Sequence, residues 1–237
     1  NECRAHIRKI NGIPKDRLIG VGVDRLDYTK GILERFLAVE RLLELEPQWI
    51  GQFTFIQIAA PSRTSIDQYQ HFDSDVRALA ARVNRRFGKE GYEPICLKIE
   101  HHEPHQVYEY YRGSDLCFVS SLHDGMNLVA KEFVASRDDE RGVLILSQFT
   151  GAARELPEAL IVNPYNIDQC AAALHVALEM PIEEQRNRIR SMRGLIQEFN
   201  VYRWAGRMLL DAARLRQRKR LFGNFRENNM GKAPFSV

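Results

Sequence analysis

Two hydrophobic periods take turns along this chain. Residues 18–23 (LIGVGV) form a short continuous apolar run that breaks at Asp24. Residues 30–46 then carry Leu33, Phe36, Leu37, Val39, Leu42 and Leu43, spaced as one face of a helix. The same alternation continues to the C-terminal region. Strands are expected at 52–60, 94–99, 115–120, 143–147 and 159–162, with a short turn at Gly151. Helices are expected at 64–88, 104–112, from near Asn127 to about Ser136, and at 167–179, 182–199 and 201–221. Several strands are unbroken apolar runs, which suits strands covered on both faces. Strands alternating with helices predict an α/β fold: a Rossmann-like, doubly wound parallel sheet of about six strands, joined by right-handed crossovers. The core domain is expected over 15–222, after a lead-in segment at 1–14 and before a polar, poorly ordered tail at 223–237.

Composition narrows the class without naming a function. The 237 residues are 44% hydrophobic and 27% charged with a net charge of +3, values that exclude a disordered chain. No apolar run approaches the roughly 20 residues of a membrane helix. The four cysteines form no CxxC pair, and Cys96 and Cys117 fall inside strand-like runs. Buried free thiols in a reducing, cytoplasmic setting are the expectation. The N-terminal stretch lacks both an initiator Met and the apolar core of a signal peptide, and reads as a piece of a longer protein.

In an open parallel sheet, ligands bind outside the carboxyl ends of the strands. Three strand-to-helix turns there are unusual. The first runs from Asp24 to Gly31, with Arg25 and Lys30 flanking a helix start. Cations in a first turn oppose the helix dipole, and a bound phosphate would account for them. The plainer alternative is a solvated Lys30, with Arg25 paired to Asp24 or Asp27. The second is Ser120-Ser-Leu-His123-Asp124-Gly125-Met126-Asn127-Leu128-Val129-Ala-Lys-Glu132. Gly125 permits a sharp turn and close approach to a ligand. The N–H groups from Gly125 to Val129 would then be free donors at a helix N-terminus, able to hold a diphosphate. Asp124 at the mouth and Glu132 two turns on suit sugar hydroxyls, since a carboxylate accepts several hydrogen bonds at once. The plainer alternative makes Asp124 an N-cap and Glu132 a surface residue. The third turn, Ala60-Pro61-Ser62-Arg63, can bring one more cation to the same cleft.

Other patterns carry less. His101-His102-Glu-Pro-His105 matches no zinc spacing, and Pro104 reads as a helix start. Asp73 and Asp75 fall on a helical face away from any strand end. The basic run at 214–220 belongs to a terminal helix with few aromatics, so neither nucleic acid nor a membrane is expected as a partner.

The strings Asp24-Arg-Leu-Asp-Tyr-Thr-Lys30-Gly31, Ala60-Pro-Ser-Arg63, Asp124-Gly-Met-Asn-Leu-Val-Ala-Lys-Glu132, Leu146-Ser-Gln-Phe-Thr-Gly-Ala-Ala153 and Ala159-Leu-Ile-Val-Asn-Pro-Tyr165 resemble the trehalose-6-phosphate synthase family of retaining glycosyltransferases. The likeness runs from about 18 to 180. His123 departs from it, since many members carry Arg there. The resemblance implies one half of a GT-B enzyme: the C-terminal domain that binds UDP-glucose, without the N-terminal acceptor domain. It implies that Arg25 and Lys30 bind the diphosphate and stabilise the leaving UDP. Gly125, Met126, Asn127, Leu128 and Val129 would cradle the distal phosphate and part of the glucose through their backbone. Asp124 would position glucose hydroxyls and Glu132 would take the ribose. Ile58, Val107 and the backbone of His102 would line the uracil slot, and Arg63 would reach the acceptor phosphate. No cofactor or metal is implied; UDP-glucose is a substrate. The helices at 182–221 would pack toward the absent domain, and self-association would belong to the full-length protein.

Competing readings keep the donor and change the rest. One takes glycerol 3-phosphate as acceptor, and one is a non-catalytic, regulatory nucleotide-sugar-binding domain. A dehydrogenase reading fails, because residues 18–23 hold only Gly20 and Gly22 of a GxGxxG.

Overall fold

A computed structural model of the protein describes residues 2–62 and 67–230, with side chains through 218. Six parallel strands, β1 (Leu18–Arg25), β2 (Phe53–Ala60), β3 (Ile95–Lys98), β4 (Leu116–Val119), β5 (Val143–Ser147) and β6 (Leu160–Val162), pair in the order β3-β2-β1-β4-β5-β6. The strand order reverses between β1 and β4, so a crevice opens beyond their carboxyl ends. Both sheet faces are buried. Phe53 and Phe55, Leu116 and Phe118, and Val143 and Ile145 enter one apolar cluster. Ile56, Cys117 and Leu144, which alternate with them along the strands, are buried as well.

Eight α-helices stand among the described residues. Helices α2 (Ile32–Leu45), α3 (Asp67–Phe87) and α6 (Ile167–Glu179) form one packed group, with α2 against both of the others. Helices α1 (Glu2–Ile10), α4 (Pro104–Gly113) and α5 (Leu128–Ser136) form the second, with α4 between its neighbours. Helix α7 (Ile182–Glu198) buries Ile189 and Met192. The chain divides at Leu195/Ile196, and the second unit contains α8 (Val201–Met230). Tyr202, Trp204, Leu209 and Leu210 of α8 are exposed.

The stretch expected as a lead-in is helical. Its Ile7 is buried against α4, and a Cβ on Gly113 would stand 3.0 Å from the Ile7 side chain. The helix expected over 30–46 is α2, which starts at Ile32; Lys30 instead ends a 3-10 turn at Tyr28–Lys30. Gly31 separates them at φ +65°, where a Cβ would lie 2.1 Å from the Ser120 carbonyl oxygen. Only glycine combines that backbone with that approach. Helix α8 continues to Met230, nine residues past the expected end at 221.

Candidate functional site

Residues that follow β1 and β4 meet at the point where the strand order reverses. Asp27 closes the 3-10 turn after β1, its Oδ1 accepting from the Thr29 N–H (2.9 Å) and hydroxyl (2.8 Å). That turn brings Lys30 to the loop after β4, where Nζ lies 2.7 Å from Asp124 Oδ2. Both side chains are mostly buried, at 17% and 16% exposure. Asp124 also accepts from the Met126 N–H (3.2 Å) and the Asn127 amide (3.2 Å). Burial pushes the Asp124 carboxyl up. The Lys30 hydrogen bond, the Met126 N–H, the Lys30 charge and the Asn127 amide outweigh it and hold the group below the usual carboxylate range.

The β4–α5 loop is pinned by backbone bonds to the segment after β5. Asp124 N–H donates to Phe149 O (3.2 Å), Gly151 N–H to Asp124 O (3.0 Å) and Ala152 N–H to Met126 O (2.8 Å). A Cβ on Gly151 would lie 2.1 Å from the Gly125 carbonyl oxygen. Gly151→Ala should therefore displace the loop, costing roughly 1–3 kcal/mol as overpacking does, with a lowered urea midpoint as the readout.

Asn127, not Gly125, takes the left-handed backbone of this loop, at φ 73°. Gly125 shows no positive φ, and a Cβ there would meet open space. Asn127 also caps α5, its Oδ1 accepting from the Ala130 N–H at 3.0 Å, so the cap role weighed for Asp124 belongs to Asn127. Of the donors expected from Gly125 to Val129, Met126 N–H is already bonded to Asp124. Leu128 and Val129, in the first turn of α5, have no intrahelical acceptor for their N–H groups and point their positive dipole end at the crevice. The Met126 and Leu128 side chains are exposed at its mouth.

Beneath the two turns lies a charge that the motif reading did not single out. Arg35 of α2 is fully buried. Its Nη1 donates to Asp24 Oδ2 (2.7 Å) and Gln57 Oε1 (2.6 Å), and its Nε donates to Ser120 Oγ (3.0 Å). Nη2 reaches the Lys30 carbonyl at 3.4 Å, and Ser120 Oγ donates to Gly31 O at 2.7 Å. One guanidinium thus ties together the carboxyl halves of β1 and β2, the end of β4 and the Lys30 turn. Burial pushes the Asp24 carboxyl up, and the Arg35 charge opposes it. A signal was present in the sequence: a charge at 35 among Ile32, Phe36 and Val39 lies on the apolar face of a helix.

With Asp24 held by Arg35 and Asp27 by Thr29, neither is an ion-pair partner of Arg25. Arg25 is exposed at the end of β1, and its guanidinium makes no hydrogen bond or close ion pair among the described residues. Glu132, half-buried on α5, accepts from the Tyr111 hydroxyl at 3.3 Å. Tyr111 is fully buried, which pushes its phenol well above the ordinary value and keeps it a donor. Val107 lies four residues before Tyr111, on the same face of α4. Ile58 is buried near the carboxyl end of β2 and pairs with Lys98 of β3. His102 sits in the loop after β3, its ring edge-on to Tyr110 at 5.6 Å and its Nδ1 without a partner. Its backbone N–H and C=O make no bond among the described residues. Arg63 lies outside the described residues.

Asp73 pairs with Arg77 at 2.9 Å on an exposed face of α3. Among the described residues, no group of three or more His, Cys, Asp or Glu is placed to hold a metal ion. No described helix is long and apolar enough to cross a membrane.

Acid should loosen this site. A carboxyl depressed in the folded state, as Asp124 is, stabilises fully above its unfolded pKa of about 3.9 and loses that contribution as pH falls through the lower folded value. Asp124→Asn should therefore flatten the decline of stability below about pH 4, measured by urea unfolding at stepped pH. An unchanged slope would contradict the assignment.

The sequence profile of glycosyltransferase family 20 matches residues 2–214. A trehalose-6-phosphate synthase of Klebsiella pneumoniae is 46% identical over 190 residues, covering 80% of this chain and 40% of that protein. Among solved structures, the alpha,alpha-trehalose-phosphate synthase (UDP-forming) of Burkholderia xenovorans in complex with glucose-6-phosphate superposes with a TM-score of 0.84 at 39% identity, covering 89% of this chain and 46% of that one. The E. coli protein bound with UDP-2-fluoro glucose also gives 0.84, at 40% identity, covering 87% and 46%. The chain thus spans under half the length of these relatives. The profile match extends over most of the chain and includes every turn described above, and the chain belongs to glycosyltransferase family 20.

Proposed function

We propose that this chain is the donor-binding half of a GT-B enzyme that moves glucose from UDP-glucose to glucose 6-phosphate, giving trehalose 6-phosphate and UDP. One observation carries the reading. At the point where the strand order reverses, a lysine, a carboxylate and the first-turn N–H groups of α5 converge on one crevice. The diphosphate lies between Lys30 and Arg25 on one side and the backbone from Gly125 to Val129 on the other. Asp124 positions glucose hydroxyls, and the free oxygen of Glu132 takes the ribose. The His102 backbone offers one donor and one acceptor, the complement of a uracil edge, between Ile58 and Val107. Arg63 serves the acceptor phosphate, and the rest of the acceptor site lies in a domain outside this chain.

Departure of UDP places charge on the diphosphate. Arg25, Lys30 and the α5 dipole stabilise it as fixed groups that need no reorganisation. The acceptor hydroxyl attacks from the face that UDP leaves, and its proton passes to the departing phosphate. Asp124 then positions and does not form a covalent intermediate. The free-thiol cysteines suit a reducing, cytoplasmic setting.

Calorimetric titration of the full-length protein with UDP and UDP-glucose, with and without EDTA, tests the donor site. Binding that survives EDTA is expected. Turnover with glucose 6-phosphate against glycerol 3-phosphate then tests the acceptor, and preference for glycerol 3-phosphate would replace the trehalose reading. Absence of UDP binding by the folded protein would refute the donor site itself.

A further inference from the structure

The amino edge of the sheet, opposite the crevice, carries a hollow of about 570 Å³ between α1 and the loop that leads into β1. Four cations line it: Arg4, Arg8 and Lys9 of α1, and Lys15 of the loop. Arg8 is the unusual one, with a side chain only 7% exposed. Its Nη1 donates to the Pro14 carbonyl, while Nη2 is buried without a hydrogen-bond partner. The nearest carboxylate oxygen, Asp115 Oδ2, is 4.0 Å from Nη2, beyond hydrogen-bond reach. That carboxylate is already used: Oδ2 accepts from the Ile19 N–H at 2.8 Å, and Oδ1 takes Arg4.

A buried guanidinium with an unmet donor is costly unless something satisfies it. The C-terminal end of α1 favours cations and accounts for Arg8 and Lys9 as charges. It accounts neither for Lys15 across the hollow nor for the unmet Nη2. Burial first, then the Arg4 charge, pulls Arg8 below its ordinary value, while Asp115 and Asp16 oppose. We propose that this hollow binds a phosphate-class oxyanion, held by Arg4, Lys9 and Lys15 at the rim, with the buried Arg8 guanidinium adding positive charge from the floor. The site lies at the opposite edge of the sheet from the donor crevice and does not depend on the reading of that crevice.

The test uses the full-length protein and inorganic phosphate, with chloride at equal ionic strength as control. A parallel arm with an alkyl phosphate monoester separates the free ion from an ester. Thermal stabilisation is followed in wild type, Lys30→Ala, Arg8→Met and Lys15→Ala. Phosphate should stabilise wild type and Lys30→Ala alike. Binding should weaken in Arg8→Met, as the cation on the floor is lost, and by about tenfold in Lys15→Ala, the loss of one charge-assisted contact. Lys15 is exposed, so its variant keeps the test open if Arg8→Met fails to fold. Stabilisation lost in Lys30→Ala but kept in Lys15→Ala and Arg8→Met would assign phosphate to the donor crevice and overturn the proposal. So would an effect no larger than that of chloride.

Discussion

Replacing Arg35 with methionine should destabilise the sheet domain by about 3–5 kcal/mol, the usual cost of removing one partner from a buried ion pair. The loss does not come from packing, since methionine fills much of the arginine's volume. It comes from Asp24, left buried without a counter-charge, and from Gln57 and Ser120, each short of a partner. Adding Asp24→Asn to Arg35→Met should recover part of the loss, because it removes the stranded charge. Lowering the pH should do the same. Burial already pushes the Asp24 carboxyl up, so without Arg35 it protonates more readily and the deficit shrinks as pH falls. Arg35→Lys should rescue little, because an ammonium cannot span Asp24, Gln57 and Ser120 with one planar fork. Urea unfolding of the four proteins measures all of this, and a midpoint unchanged in Arg35→Met would contradict it.

Lys30→Ala should weaken UDP binding by roughly 1.5–3 kcal/mol, or about 10- to 150-fold, as one charge-assisted phosphate contact is lost. Arg25→Ala should act in the same direction. The Lys30–Asp124 pair makes the test sharper. With no ligand present, Asp124 holds Lys30 at 2.7 Å, so a diphosphate must compete with that carboxylate. Asp124→Asn should therefore leave UDP affinity unchanged or raise it, while lowering affinity for UDP-glucose through the lost hydroxyl contact. Calorimetry with both ligands separates the two effects. If Lys30→Ala binds UDP as wild type does, Lys30 is not a phosphate ligand. If Asp124→Asn weakens UDP and UDP-glucose equally, Asp124 shapes the loop and does not touch the sugar.

Much of this molecule is legible in its sequence. The shifting hydrophobic period marked all six strands and the helices from α2 onward, because both faces of a buried parallel sheet demand apolar runs and each crossover helix demands one apolar stripe. Helix α1 was not expected: its nine residues are short and rich in charge, although Cys3, Ile7 and Ile10 share one face, and the contact of that face with α4 gives it a core. The helix expected from 30 begins at Ile32, because Lys30 ends a 3-10 turn and three residues cannot display a period of their own. The crevice followed from motif and topology together. Glycine was expected to make the sharp turn after β4, yet Asn127 makes it, because its side chain can cap α5 and reach Asp124 while its backbone is left-handed.

Local order along the chain determined which segments are strands and helices, that the sheet is parallel, and which turns carry unusual chemistry. Charge partnership was decided only in three dimensions. Lys30 and Asp124 are 94 positions apart, and Arg35 reaches Ser120 across 85. A charged side chain in sequence has several neighbours of opposite sign, as Arg25 has in Asp24 and Asp27. Arg25 keeps neither: which partners a charge takes depends on which strand ends the crossovers bring together, and on which carboxylate burial leaves most in need of a cation.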